Sequence, residues 1–213
     1  MSTGIYKAYK LARQKFLNFN VDADMVLEKL KKIPISINTW QLDDVSGFEV
    51  VDTELSGEGV LCTGNYPGKP KNIAQFREDI KKVLSLVPGT KKISLQSING
   101  DYSGKLSDRN DISIDHFCSW VDWAKENNVG IDLNPALYSH PLASSGYTLS
   151  SKDNNVRSYW MEYVKKVRDI SNYIGDKLAI LCVNTLWILD GSKDMTPSRF
   201  DHRIILKESL DDI

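Results

Sequence analysis

The amino-acid sequence predicts an α/β fold: the first half of a (β/α)8 TIM-type barrel, with four parallel strands alternating with helices and two N-terminal helices. Four short segments with strand patterns are each followed by a helical pattern, which is typical of parallel βαβ units. No glycine-rich phosphate turn follows the first strand, as a dinucleotide-binding sheet would need. Because four strands cannot close a barrel and the last helix has no stop signal, we expect the barrel to continue beyond it.

Two amphipathic helices precede the first predicted strand. Residues 5–19 place apolar side chains at helical spacing, and Asp22 is positioned to cap a second helix that ends before Pro34. Met25, Val26, Leu27 and Leu30 of the second helix are expected to pack inward. We therefore predict a single, incomplete barrel domain over residues 1–213, with residues 1–32 as a helical extension.

The first strand is predicted at Ile33–Ile37, as a short buried segment. It leads into an irregular loop that lasts until about Asn72. Loops of this length inside compact domains are usually either functional or disordered, and the aromatic residues Trp40, Phe48 and Tyr66 argue against simple disorder. We expect this loop to cover a ligand site.

The remaining elements continue the alternation. The other strands are predicted at Lys92–Ile98, Gly130–Leu133 and Leu178–Leu186. Asn72, Ser113, and Asp153 or Asn154 are predicted to begin the intervening helices, which end at Pro88-Gly89, at Asn127-Asn128 and near Gly175. A last helix begins near Pro197.

Charge and cysteine content narrow the functional class. A formal net charge of −1 and a pI near 6.3 give no field that favours nucleic acid or an anionic membrane. The cysteines (Cys62, Cys118, Cys182) are odd in number and widely spaced, which fits neither a disulfide framework nor a zinc cluster. With no apolar leader segment at the start, these features predict a cytoplasmic protein.

Candidate ligand-binding residues follow the predicted strands, because ligands of parallel α/β folds sit at the carboxyl ends of strands. They are rich in amides, carboxylates and indoles: Trp40, Gln41, Asp43, Asp44, Gln96, Asn99, Asp101, Asn134, Ser139, His140, Trp187, Asp190 and Lys193. A polyhydroxylated ligand suits this mixture, since hydroxyls need hydrogen-bond partners and a sugar's C–H face packs on an aromatic ring.

Each candidate also has a purely structural interpretation. Trp40 and Trp187 would serve equally as packing residues at the rim, and His140 would serve to fix its loop through a backbone hydrogen bond. Asp190 with Lys193 fits a helix start with a salt bridge at least as well as an active site. No Ser/His/Asp arrangement, nucleophile elbow or metal-ligand cluster has convincing spacing.

Several longer motifs resemble the L-rhamnose isomerase family. They are WQ-x-DDVSGFE at Trp40–Glu49, TGNYPGK at Thr63–Lys69, W-x-x-WAK at Trp120–Lys125, D-x-NP-x-x-x-SHPL at Asp132–Leu142, GYTLS at Gly146–Ser150 and W-I-x-DG-x-KD at Trp187–Asp194. The resemblance is collinear from about residue 5 to the last residue.

The resemblance implies a (β/α)8 barrel in a homotetramer that interconverts L-rhamnose and L-rhamnulose by a metal-assisted hydride shift. It implies two divalent cations, typically Mn²⁺, whose ligands would lie beyond Ile213, so that residues 1–213 alone would be inactive. It also implies sugar-pocket positions for Trp187, Gln96, Trp40 and His140, with the long loop folding over the pocket.

The sequence departs from the family pattern at two positions that usually hold histidine, Asn38 and Gln96, and at Leu189, where the family tends to have proline. Gln96 can still hydrogen-bond a sugar hydroxyl but cannot titrate near neutral pH. The alternative expectation is therefore a non-catalytic sugar-binding or decayed half-barrel protein.

Overall fold

The structure is a computed structural model that describes residues 3–39, 47–48, 70–102, 106, 108–191 and 199–213. The helices are α1 (Thr3–Leu17), α2 (Ala23–Leu30), α3 (Ile73–Leu86), α4 (Asp115–Asn127), α5 (Asn154–Leu178) and α6 (Arg199–Asp212). The strands are β1 (Ile35–Asn38), β2 (Lys91–Gln96) and β3 (Gly130–Asn134). The predicted alternation of strands and helices is confirmed for these three strands. None of the described helices is both long and apolar enough to cross a membrane.

The three strands form one parallel sheet in the order β1-β2-β3. Successive side chains of a strand point to opposite faces of the sheet, and in this register apolar side chains share one face while polar ones share the other. One face carries apolar residues: Ile37, Ile93, Leu95, Ile131 and Leu133. The other, which we name the polar face, carries Ser36, Asn38, Lys92, Ser94, Gln96, Asp132 and Asn134.

The main core lies where the apolar face of the sheet packs against α3, α4 and α5. Phe76, Trp120 and Trp160 are fully buried there. The Trp120 indole N–H donates to the backbone oxygen of Asn99 (2.8 Å), so its single polar group is satisfied. Helices α3, α4 and α5 therefore lie on one side of the sheet, and the polar face is on the other side.

Local signals explain most helix boundaries. Asp22, Asn72 and Asp153 each accept hydrogen bonds from backbone N–H groups in the first turn of the following helix, as predicted. Asn128 ends α4 in the left-handed conformation, which asparagine tolerates. The prediction for Ser113 is wrong: α4 begins at Asp115, and Ser113 instead donates its backbone N–H to the His116 ring.

The predicted fourth strand, Leu178–Leu186, is wrong in its extent. Helix α5 continues to Leu178, and the described chain after it makes only one isolated parallel bridge, between Leu133 and Asn184. Beyond the end of β3, Pro135 has no N–H to donate, so the ladder between β3 and this segment stops there. In the other direction, Leu181 O and Val183 N–H are bonded to the side chains of Lys92 and Asp132.

The N-terminal region does not pack as predicted. No side chain of α1 or α2 is buried against the described chain, and apolar residues such as Phe19 and Leu30 are exposed. β1 begins two residues later than predicted and lies at the edge of the sheet, with Ile35 half exposed. An edge strand has covering elements on fewer sides, which accounts for its exposure.

Candidate functional site

Three buried amides lie at the carboxyl ends of β2 and β3. Gln96 ends β2, Asn134 ends β3, and Asn99 lies in the short 3-10 turn after β2. Gln96 Nε2, Asn99 Nδ2 and Asn134 Oδ1 find no hydrogen-bond partner among the described residues. Because a buried polar atom without a partner is costly, these three atoms at the strand ends are candidates for hydrogen bonds to a polar ligand.

The backbone of Gln96 is held in place, although its amide nitrogen has no partner among the described residues. Its backbone N–H donates to Asn99 Oδ1 (3.0 Å), and a capping box joins the two residues. Its side chain is only 2% exposed, so the lost hydration of Nε2 is not recovered from bulk water. Gln96, which the sequence predicts as a site residue, therefore presents a buried amide N–H donor, Nε2, that no described residue accepts.

The ends of β2 and β3 are tied together beneath these amides. The Ser97 hydroxyl accepts from the backbone N–H of Ala136 (3.0 Å) and shares a hydrogen bond with the Tyr163 hydroxyl. Asn134 Nδ2 donates to Ser94 Oγ (2.8 Å) across the polar face. This network fixes the spacing of Gln96 and Asn134, which face each other in the register of the sheet.

A buried arginine shapes the loop after β3, which carries His140. Arg109 is 2% exposed, and its guanidinium donates to the carbonyl oxygens of Ala136 (2.9 Å), Tyr138 (2.6 Å) and Ser139 (3.0 Å). Its planar fork of donors matches several carbonyls at once. The Arg109 guanidinium therefore holds the conformation of the loop after β3 through three of its carbonyl groups.

Both ring nitrogens of His140 are engaged within this loop. Nδ1 accepts from the backbone N–H of Leu142 (3.2 Å), which leaves the proton on Nε2, 3.2 Å from the Tyr159 hydroxyl. Tyr159 in turn donates to Asp108 (2.8 Å) and stacks on the His140 ring. Burial, reinforced by the charge of Arg109, lowers the pKa of His140 to about 4, so the ring is neutral at pH 7.

Trp187 lies on the same side of the sheet as the polar face. From Leu181 to Ile188, exposed and half-buried residues alternate, and Cys182, Leu186 and Ile188 pack against the main core. Asn184 aligns with Leu133 of the apolar face and bonds Ser171 of α5. With a period of two, Trp187 points the opposite way, toward the side of Gln96 and Asn134.

Asp190 joins two of the family-like motifs. Its carboxylate accepts from the Thr148 hydroxyl, from the Ser150 backbone N–H (2.7 Å) and from the Ser150 hydroxyl (2.6 Å). Gly191 N–H also donates to Gly146 O (2.8 Å). The chain that follows Trp187 is thereby bound to the GYTLS segment, so Asp190 has a structural role in this arrangement.

Part of the predicted site lies outside the described residues. This holds for Trp40, Gln41, Asp43, Asp44, Tyr66 and Lys193, and for the TGNYPGK motif. Gly47 and Phe48 are described: Phe48 N–H donates to Ile98 O (2.9 Å), and its ring packs edge-on against Phe76. The predicted loop thus contacts the chain just beyond Gln96 at this point.

The described residues do not themselves form a metal site, since they contain no group of three His, Cys, Asp or Glu side chains arranged to hold an ion. The carboxylate on the polar face, Asp132, is already paired with Lys92.

Lys92, Asp132 and Arg109 were missed by sequence reasoning. Polar residues at alternate positions of β2 and β3 were a usable signal for the polar face, whereas nothing local marked Arg109 as buried.

Comparison with known proteins gives a consistent result. The family profile described as L-rhamnose isomerase (RhaA) matches residues 3–213. L-rhamnose isomerase from Bacteroides thetaiotaomicron is 42% identical over 209 residues, which are 98% of this chain and 50% of that protein. L-rhamnose isomerases from Enterobacter sp. (strain 638) and Citrobacter koseri are 42% and 40% identical over 213 residues, again 50% of each relative. The chain spans about half the length of the curated relatives it matches.

Proposed function

The chain belongs to the L-rhamnose isomerase family, and we propose that it supplies half of the sugar-binding barrel of an aldose-ketose isomerase. The complete protein would interconvert L-rhamnose and L-rhamnulose. The observation that carries this proposal is the polar face, with amides at its carboxyl end that have no partner among the described residues, and with Trp187 on the same side. An uncharged deoxy sugar offers hydroxyls to the amides and an apolar C–H face to the indole.

The site residues are proposed in distinct roles. Gln96 Nε2 donates to a sugar hydroxyl, Asn134 Oδ1 accepts from one, and Trp187 packs against the ring or chain of the sugar. His140 is a wall residue, because its two nitrogens already hold the loop through Leu142 and Tyr159. Trp40 is proposed as a further wall residue.

The isomerisation moves a hydride between C2 and C1 of the open-chain sugar and a proton between the attached oxygens, so an aldehyde becomes a ketone without outside reductant. The family resemblance assigns Mn²⁺ the part of a Lewis acid that polarises those oxygens. Since the described residues form no site for it, we propose that its ligands come from the part of the relatives' length that this chain does not cover. The role of these 213 residues is to bind and orient the sugar.

The architecture proposed for the complete protein is a closed (β/α)8 barrel in a homotetramer, and residues 1–213 form one incomplete domain with residues 1–32 as an extension. Both edges of the three-stranded sheet would then continue into further strands. On its own the chain would not isomerise sugars. A cytoplasmic location remains a prediction from cysteine usage.

The test is an isomerase assay on a protein of the relatives' full length that contains residues 1–213, loaded with Mn²⁺. We expect ketose to form from L-rhamnose, and the rate to fall when Mn²⁺ is chelated. Trp187→Leu should weaken sugar binding more than Trp187→Phe, which keeps an aromatic face. Absence of ketose from L-rhamnose, L-mannose and L-lyxose, with Mn²⁺ bound, would refute the proposal.

A second candidate function is sugar binding without catalysis by residues 1–213 alone. Its support is Gln96, which replaces the family's usual histidine and yet presents an unused donor. Calorimetric titration with L-rhamnose tests it: binding heat saturating at millimolar sugar supports this function, and absence of heat counts against it.

A further inference from the structure

The segment Leu181–Trp187 has little backbone pairing to set its register. Its ladder to the sheet consists of Leu133 N–H to Val183 O (3.0 Å) and Thr185 N–H to Leu133 O (3.2 Å). A shift of one residue in a strand turns every side chain to the other face. For this segment, such a shift would move Trp187 from the side of the polar face to the side of the helices.

The buried pair Lys92 and Asp132 bonds the backbone of this segment next to the Leu133–Asn184 bridge. Lys92 Nζ contacts Asp132 Oδ1 and donates to Leu181 O (2.6 Å). Asp132 Oδ1 accepts from Val183 N–H (2.8 Å). If the parallel ladder continued, Leu181 O and Val183 N–H would bond the backbone of Ile131. They bond the side chains of Lys92 and Asp132 instead.

Net stability alone does not account for this pair. The side chains of Lys92 and Asp132 are 9% and 8% exposed, and taking two charges out of water offsets much of their attraction. Apolar residues of similar volume often give a protein equal stability. Fixing the register of neighbouring segments is the best-attested role of a buried polar pair. An apolar pair would also leave Leu181 O and Val183 N–H to find other partners.

We propose that Lys92 and Asp132 are positioning residues, which fix the register of Leu181–Trp187 and so place Trp187 at the sugar pocket. This inference rests on the proposed function for the part that concerns the sugar. The far end of the segment is held by Asp190, so Trp187 lies between two polar anchors. Lys92 itself lies near the start of β2 and acts through the segment rather than on the substrate.

The first measurement is hydrogen exchange of the 213-residue chain, without sugar, by mass spectrometry. Lys92→Met should raise the exchange rates of Val183 and Thr185 by about tenfold or more, while the interior of α5 stays unchanged. Lys92→Arg keeps the cation and should restore protection. Lys91→Met is the matched control, because Lys91 is the adjacent residue of β2 and bonds Val87 O instead (3.0 Å).

Lys92→Met leaves the Asp132 charge unpaired, so the double variant K92M/D132N provides a second, neutral background if the single variant does not fold. The amide that this variant introduces at position 132 would keep an oxygen for Val183 N–H, so exchange at Val183 should rise less than at Thr185, whose N–H bonds Leu133 O. An unchanged exchange pattern in this variant, or an equal rise throughout α3, α4 and α5, would overturn the positioning role.

The second measurement is kinetics in the full-length, Mn²⁺-loaded protein. Lys92→Met should raise KM for L-rhamnose about tenfold with a much smaller change in kcat, and Lys92→Arg should restore it. Raised local exchange with an unchanged KM would overturn the effect on Trp187 and leave the proposed function intact. If the unsubstituted protein forms no ketose, the proposed function fails, and the exchange result alone decides the register claim.

Discussion

Replacing Asp190 with alanine should remove the strongest link between the segment that carries Trp187 and the Gly146–Ser150 motif. The carboxylate accepts three hydrogen bonds, two of them from Ser150, whose residue surface is 2% exposed. Hydrogen bonds to a charged group contribute about 1.5–3 kcal/mol each when buried. Because Asp190 is itself partly exposed, we take the lower end and allow for coupling between bonds, which gives a loss of about 3 kcal/mol for Asp190→Ala.

Asparagine at this position should cost less, about 1 kcal/mol, because its amide keeps one acceptor oxygen and can donate to the Thr148 hydroxyl. The free energies of unfolding would be measured by urea titration monitored by circular dichroism. Asp169→Ala is the matched control, an exposed aspartate on α5, and should change stability by no more than about 0.5 kcal/mol. A loss for Asp190→Ala that equals the control would refute the reasoning, since the three bonds would then contribute nothing.

Three further predictions follow from the described contacts. Gln96→Leu removes an unpartnered buried donor together with its capping contact, so stability should stay within about 1 kcal/mol while L-rhamnose affinity falls about tenfold; calorimetry and urea unfolding would separate the two effects. The folded-state pKa of His140, about 4, lies below its unfolded value. The contribution of the neutral ring to the free energy of unfolding is therefore complete above about pH 6.5 and is lost as the pH falls toward 4. Comparing unfolding at pH 7.5 and pH 5 should show a decline of about 1–2 kcal/mol that His140→Asn reduces, and an equal decline in both proteins would contradict the assignment. Trp120→Phe should cost about 2 kcal/mol, because it leaves Asn99 O without its donor and opens space in the core, whereas no loss in thermal unfolding would show that the core collapses around the change.

The sequence was informative where the determining signals are local. Asp22, Asn72 and Asp153 cap helices through atoms two or three residues away, and Phe76, Ile80 and Leu84 of α3 are buried as their spacing predicts. Strand β3 was predicted almost to its ends because it is a short segment with apolar Ile131 and Leu133, bounded by glycine and proline. Such features depend on neighbouring residues and can be recognised without knowing the tertiary structure.

Features that depend on distant partners were not predictable. The apolar run Leu178–Leu186 has the composition of a strand, but whether it pairs depends on Pro135 and on an ion pair between residues that lie 40 positions apart. The same limit applies to the site. Alternation in β2 indicates that Gln96 shares a face with Lys92, whereas the hydrogen bonds that Ser150 donates to Asp190 join residues 40 positions apart and have no local signal. The exposure of α1 and α2 likewise depends on tertiary contacts, which their helical spacing does not report.

The division of the sheet into an apolar and a polar face has a thermodynamic consequence. Unfolding exposes the aliphatic chains of one face, with the indoles of the helices packed against it, and the buried amides and charges of the other face, among them Gln96, Asn134 and Asp132. Hydration of apolar surface raises the heat capacity of the unfolded state, and hydration of polar surface lowers it. The two faces therefore act in opposite directions on the heat-capacity change of unfolding. An α/β domain whose sheet is divided in this way should have a flatter dependence of stability on temperature than one with a purely apolar interior.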